Sequence, residues 1–285
     1  MKSITHSVPL FLKKSFKIVS VLILILMCNS CQNTKQQGST TIQNEGLKSD
    51  ENWQSLFNGK DLDDWIVKIH HHDVGDNYAN TFRVIDGAIQ VNYDGYDTFD
   101  ERYGHLFYKE PFSSYHLKFT YRFTDQWMKD APGYTYRNSG VMFHSQDPAT
   151  ILKEQDWPIS VEFQMLAEDQ PGQPRPTGNM CSPGTEVFYQ GQMDPRHCIN
   201  SSSDTYKWNE WVIAELIVHQ DSLVIHKING KQVLEYTKPQ IGGGVTNGYD
   251  PKIKQDGKRL TEGYIGLQAE GQGVEFKDIM IKELK

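Results

Sequence analysis

Tyr115-His-Leu-Lys-Phe-Thr-Tyr-Arg-Phe123 carries an apolar or aromatic residue at every odd position and a polar one at every even position. Successive side chains of an extended chain point to opposite sides, so this segment has one buried and one wetted face, as a strand of an antiparallel sheet does. The same parity recurs over residues 141–144, 159–166, 211–218, 223–228, 264–269 and 274–281, and hardly any stretch has the period of an amphipathic helix. Asn229-Gly230 separates 223–228 from 231–236. Both residues tolerate the positive φ that a type I′ turn requires, so these two segments are expected to pair as a hairpin. Many short strands without βα alternation predict an all-β fold of two packed antiparallel sheets, a jelly roll or a related sandwich. Residues 168–203 interrupt the strand series as a long insertion rich in loop-forming residues, a length that is uncommon unless the segment is functional or disordered.

The amino-terminal end reads differently. Lys13, Lys14 and Lys17 flank an apolar run, Ile18-Val-Ser-Val-Leu-Ile-Leu-Ile-Leu-Met27, of signal-peptide length and too short for a comfortable membrane span. The run ends in Cys28-Asn-Ser-Cys31, where a small residue before cysteine resembles a bacterial lipoprotein box with Cys31 as the lipidated residue. Ordinary cleavage and retention as an anchor are the alternatives. Residues 1–31 are thus expected to be signal and lipobox. Residues 32–49 form a polar tether that cannot offset its own ordering entropy, and residues 50–285 form one sandwich domain. The expected location is the cell envelope, facing the periplasm or the outer-membrane surface, with membrane attachment only through the lipid.

A net charge of −7 with no basic stripe gives no reason to expect a nucleic-acid partner. Past the signal, two cysteines remain, Cys181 and Cys198, within a stretch rich in Pro, Gly and Ser. In an oxidising compartment they read as a disulfide that staples the insertion. Two reduced thiols buried as small apolar groups are the alternative.

Parity also groups polar side chains. In Ile159-Ser-Val-Glu-Phe-Gln-Met165, Glu162 and Gln164 point together, away from the apolar set. In Arg137-Asn-Ser-Gly-Val-Met-Phe-His144, Asn138 and His144 share a face if no bulge intervenes, and in Tyr264-Ile-Gly-Leu-Gln-Ala-Glu270 so do Gln268 and Glu270. These could be solvated outer faces. Their residue types favour a carbohydrate partner, because Asn, Gln, His and Glu make directional hydrogen bonds to sugar hydroxyls. The run His70-His-His-Asp73 can bind a divalent metal or shuttle protons, although consecutive histidines of an extended strand cannot all face one site. Beyond that, no cofactor is called for. Arg137 could clamp a carboxylate or a keto oxygen, and Trp127, Tyr134 and Tyr136 could stack on sugar rings; each could equally serve packing or a surface ion pair. No catalytic serine triad, phosphate-binding glycine loop or Cys-x-x-Cys pair stands out.

Ser55-Leu-Phe-Asn-Gly-Lys-Asp-Leu-Asp-Asp-Trp65, Asn138-Ser-Gly-Val-Met-Phe143, Val161-Glu-Phe-Gln164, Gly263-Tyr-Ile-Gly-Leu-Gln268 and Val274-Glu-Phe-Lys-Asp-Ile279 resemble the 3-keto-disaccharide hydrolase family. The resemblance runs from Trp53 to Leu284. It implies a concanavalin A-like jelly roll and a hydrolase or lyase that cleaves 3-keto-glycosides by removing the C2 proton and expelling the C1 oxygen. On this reading Glu162 and His144 are the acid and base, with His72 a competing base or metal ligand. Arg137, Asn138, Gln164, Gln268 and Glu270 then contact substrate. The chain departs from the family pattern at His144, where an Arg is usual, and at Ala269-Glu-Gly271, where Asp-His-Gly is frequent. A non-catalytic sugar-binding module and a conventional glucan hydrolase using Glu162 and Glu270 are the competing readings.

Overall fold

The computed structural model describes residues 52–285. The signal and lipobox 1–31, with Cys31, and the tether 32–49 lie outside the described residues.

Among the described residues seventeen strands follow one another: β1 (Gln54–Ser55), β2 (Trp65–Ile69), β3 (Phe82–Ile85), β4 (Ala88–Val91), β5 (Gly104–Tyr108), β6 (Ser114–Trp127), β7 (Asn138–Ser145), β8 (Val161–Leu166), β9 (Asn179–Cys181), β10 (Thr185–Tyr189), β11 (Gln192–Met193), β12 (Cys198–Ile199), β13 (Val212–His219), β14 (Leu223–Ile228), β15 (Lys231–Ile241), β16 (Tyr264–Ala269) and β17 (Gln272–Glu283). They form two antiparallel sheets. One runs β11-β10-β15-β14-β13-β6-β17-β4-β3, with β1 added beside β17; the other runs β12-β9-β8-β7-β16-β5-β2. The all-β jelly-roll sandwich expected from the alternation is what forms.

The odd-numbered residues of the opening segment, Tyr115 through Phe123, are all buried on β6. They face the apolar parity of the other sheet, and Phe119 meets Phe163 of β8 edge-on with ring centroids 5.8 Å apart. Val141, Phe143, Val161, Met165, Ile265 and Leu267 complete that inner face, each with essentially no exposure. Burial of this order contributes about 1.5–3 kcal/mol per large apolar side chain. Asn229 and Gly230 take φ of 48° and 80°, and β14 pairs with β15 around them, as the turn residues require.

The insertion 168–203 is ordered, as a segment stapled by two cysteines is expected to be, and carries strands that its sequence does not announce. It is ordered into four short strands, β9 to β12, and these extend the edges of both sheets. Strands of two to five residues are too short to show a period in sequence, which is why the segment reads as loop. Cys181 and Cys198 lie directly opposite each other on β9 and β12 and are joined as a disulfide.

Candidate active site

A cavity of about 500 Å³ opens on the outer face of the smaller sheet. Its floor follows from strand register. Asn138 on β7 stands opposite Leu166 on β8, Glu162 on β8 stands opposite Cys181 on β9, and Cys181 opposite Cys198 on β12. Directly paired residues share a face, so Glu162, Gln164, Leu166, Asn138 and the disulfide line one surface. Glu270, just past β16, shares the parity of Gln268 and joins them, while Tyr134 from a single 3-10 turn (Gly133–Thr135) and Trp157 from a loop, with Arg175, His197, Pro183 and Val245, complete the walls.

The carboxyl of Glu162 is buried and has no hydrogen-bond or ion-pair partner among the described residues. With nothing to stabilise the charged form, burial pushes its pKa up to about 8. Glu270 is likewise raised well above the ordinary carboxylate range, first by burial and then by repulsion from Glu162; a hydrogen bond from the Trp157 indole works the other way. Its Oε2 remains unpartnered. At neutral pH the cavity therefore holds two carboxyls that burial keeps far more protonated than an ordinary carboxylate. Gln164 Oε1 accepts from Asn179 Nδ2 at 3.0 Å, which leaves the Gln164 amide N–H free toward the cavity. Asn138 donates to the Tyr134 carbonyl at 3.2 Å, and its Oδ1 has no partner. Orphaned polar atoms in a buried pocket are uncommon, and their concentration here marks a surface shaped for a polar ligand.

Three expected members of the site stand elsewhere. His144 does not share the surface of Glu162. The register of β7 against β16 shifts between Tyr264 and Gly266, and His144 takes φ of 46°. This irregularity turns the ring away, and Nε2 hydrogen-bonds the Gln220 carbonyl in the β13–β14 turn at 3.0 Å. Burial lowers the His144 pKa to about 4, so the ring is neutral. His72 bonds Asp76 at 2.8 Å and packs on Tyr78, away from the cavity. Arg137 is committed to the Glu168 carbonyl and lies over the rings of Tyr136 and Trp208, so it does not clamp a ligand in the cavity. Gln268 lies on the same face but falls short of the cavity wall; it is buried opposite His105 of β5, with Oε1 unpartnered.

Of the histidine run, His70 and His71 diverge from His72 because His71 sits at φ of 70°. Their rings stack at 3.7 Å, and with Glu154 they bring three ligating atoms within 4.8 Å of one another, a set that could hold a divalent cation. His70 Nδ1 bonds the Glu101 carbonyl at 2.8 Å, which fixes that ring. The group adjoins the site through Tyr103, which stacks near His70 and packs on Trp157.

Sequence reading missed Trp157, Arg175 and His197. Arg175 spends its guanidinium on the carbonyls of Ala167 and Tyr136, both at 2.9 Å, and so fastens the insertion to the end of β8. None of these residues lies in an alternating segment, so parity carried no signal for them.

Fold and cavity together define a jelly-roll domain with a polar, carboxyl-bearing cavity on the outer face of its smaller sheet. The 3-keto-alpha-glucoside-1,2-lyase-like domain matches residues 52–282, and the chain belongs to that family. Similar solved structures include two candidate glycosyl hydrolases from Parabacteroides distasonis. One is 20% identical with a TM-score of 0.48, covering 82% of this chain and 95% of its own; the other is 18% identical with a TM-score of 0.49, covering 81% and 99%. A carbohydrate binding module, CBM66 from Bacillus subtilis, is 10% identical with a TM-score of 0.44, covering 77% and 96%. No curated protein matches the chain.

Proposed function

We propose that this cavity cleaves 3-keto-glycosides by β-elimination, with Glu162 as base and Glu270 as acid. The observation that carries the proposal is the pair of buried carboxyls, both raised above the ordinary carboxylate range, in one cavity large enough for a sugar. Family membership supports a 3-keto-glycoside as the substrate class.

A C3 carbonyl acidifies the C2 proton. Ionised Glu162 takes that proton, and the C2–H electron pair forms the enolate, whose oxygen accepts a hydrogen bond from the free Gln164 amide. Collapse of the enolate restores the C3 carbonyl, forms the C1–C2 double bond and expels the C1 oxygen, which takes the proton of Glu270. Water then adds across the double bond: Glu270 accepts a water proton as hydroxide adds to C1, and Glu162 returns its proton to C2. Both carboxyls end as they began. A pKa near 8 leaves roughly a tenth of Glu162 ionised at pH 7, and keeps it a stronger base than an ordinary carboxylate. The charge on ionised Glu162 in turn keeps Glu270 protonated, which suits the acid.

The same proposal puts the protein in the cell envelope, anchored through lipid on Cys31. The Cys181–Cys198 disulfide, a bond that persists in oxidising compartments, supports it. Palmitate labelling of the wild type, lost on Cys31→Ser, tests the anchor.

The activity is tested by incubating the purified protein, with and without chelator, with a disaccharide and with its 3-keto derivative. Turnover of the keto sugar alone, abolished by Glu162→Gln, is the expected result. Turnover of the plain sugar would instead make the carboxyl pair that of a conventional hydrolase, and binding without turnover would make the domain a sugar-binding module. Loss of activity with chelator would assign a metal role to the His70, His71 and Glu154 group.

A further inference from the structure

His70 and His71 follow the last residue of β2, and consecutive side chains of an extended strand point apart. The positive φ of His71, 70°, ends the extension and brings both rings to one side, where they stack with centroids 3.7 Å apart. Glu154 meets them from 83 residues beyond His71, and one ligating atom from each of the three lies within 4.8 Å of the others.

The donor atoms are set for coordination. His70 is buried, and its Nδ1 bonds the Glu101 carbonyl at 2.8 Å. A carbonyl can only accept, so Nδ1 carries the proton and the lone pair is on Nε2, which has no partner among the described residues. Metal-ligating histidines typically donate their other ring N–H to a carbonyl or carboxylate in this way. His71 Nδ1 and Glu154 Oε2 share a proton at 2.7 Å. A cation takes the place of that proton, because imidazole and carboxylate ligate in their deprotonated forms. The rings stand 25° from parallel and must turn further to face one ion; the His71 side chain, 36% exposed, has room to do so. Two imidazoles and a carboxylate suit Zn²⁺, which is held by three such ligands with water in the fourth place, whereas calcium and magnesium take a larger set of oxygens.

The residues that the cluster joins are an independent observation. Segment 153–157 runs from it to the cavity. At the near end the Lys153 carbonyl accepts from His71 N at 3.0 Å and from Lys68 Nζ at 3.2 Å. At the far end Asp156 holds Asn247 through its backbone N at 2.7 Å and its side-chain amide at 2.8 Å, while Trp157 forms a cavity wall and packs on Tyr103 with centroids 4.2 Å apart. The Glu154 side chain between them is 65% exposed and bonds only His71 among the described residues. An exposed pair of this kind contributes little, whereas an ion shared by three side chains ties the segment down.

We infer that His70, His71 and Glu154 form a Zn²⁺ site that fastens segment 153–157 to the end of β2 and steadies the Trp157 wall of the cavity. None of the three lines the cavity, so the site stands or falls separately from the reaction proposed above.

The purified protein, stripped with chelator, is titrated calorimetrically with zinc, calcium and magnesium, and amide hydrogen exchange is followed with and without zinc. Glu154→Gln removes the ligating charge at an exposed position, and His71→Asn keeps a residue that tolerates positive φ; unchanged melting temperatures without metal confirm that both variants fold. Zinc held elsewhere on the chain persists in these variants and is subtracted. The remaining zinc is expected to bind one ion per chain with a Kd of about 1 μM or tighter, at least about 100-fold tighter than calcium or magnesium. Each variant should weaken it at least about tenfold, and His72→Ala, whose ring bonds Asp76, should not. Zinc should slow exchange over 153–157 in the wild type and not in Glu154→Gln. Zinc binding no tighter than calcium, or unchanged in both variants, overturns the inference, and so does bound zinc that leaves exchange over 153–157 as it was.

Discussion

The carboxyl of Glu162 lies over Gly140 on the neighbouring strand, so close that a Cβ at position 140 would stand 2.3 Å from Oε1. Register places Gly140 opposite Gln164, two pairs along from Glu162 and next to it on the same face, so the Glu162 side chain leans into the space that the missing Cβ leaves. Gly140→Ala should therefore push the carboxyl aside. The obstructing atoms are the end of a flexible side chain, so the stability cost is expected to be about 1 kcal/mol. Turnover of a 3-keto-glycoside should fall roughly 100-fold, the penalty for a misplaced reacting group. Thermal unfolding and kcat/KM measured side by side check both, and unchanged turnover would remove Glu162 from the reaction.

Activity should rise with pH through about 8 and flatten above it, because Glu162 must lose its proton to act as a base. A kcat/KM profile already flat from pH 5 to 9 would contradict this.

Stability should move the opposite way. Between the ordinary carboxyl value of 4.5 and about 8, the unfolded chain has released the Glu162 proton while the folded protein keeps it. The folded state then binds more protons, so stability declines as pH rises across that window. Glu162→Gln should flatten this decline, read as a smaller difference in denaturation midpoint between pH 5 and pH 9.

His144→Ala should cost stability, about 2 kcal/mol or more for a buried side chain that ties the end of β7 to the β13–β14 turn, while kcat/KM changes less than about twofold. Because its folded pKa is depressed to about 4 from 6.5, the neutral ring's contribution is whole above 6.5 and is lost as pH falls toward 4. A 100-fold loss of turnover with unchanged folding would return His144 to the site.

Reduction of Cys181–Cys198, which are 17 residues apart in sequence, should cost about 3 kcal/mol, measured as the shift in denaturant midpoint with and without reductant. The Cys181→Ser/Cys198→Ser protein should behave like the reduced wild type.

The sandwich was legible in the sequence because a strand with one buried face must alternate, and alternation survives without knowledge of any partner. Tyr115 to Phe123, the Asn229-Gly230 turn and the shared face of Glu162 and Gln164 are all local consequences of extended backbone, and all are found in the structure. His144 lost its expected place to one register shift, which no local pattern announces because it depends on how β7 meets β16.

By itself, then, the chain determined the two-sheet architecture and which side of each strand is polar, since both depend on residues one or two apart. Only the tertiary structure decided which polar side chains meet. Glu270 reaches Glu162 across β7, Trp157 arrives from a loop, and the disulfide closes the wall from an insertion whose strands are too short to read. These partners lie far apart along the chain, and what joins them is strand order, register and a bulge, quantities fixed by packing of the whole domain.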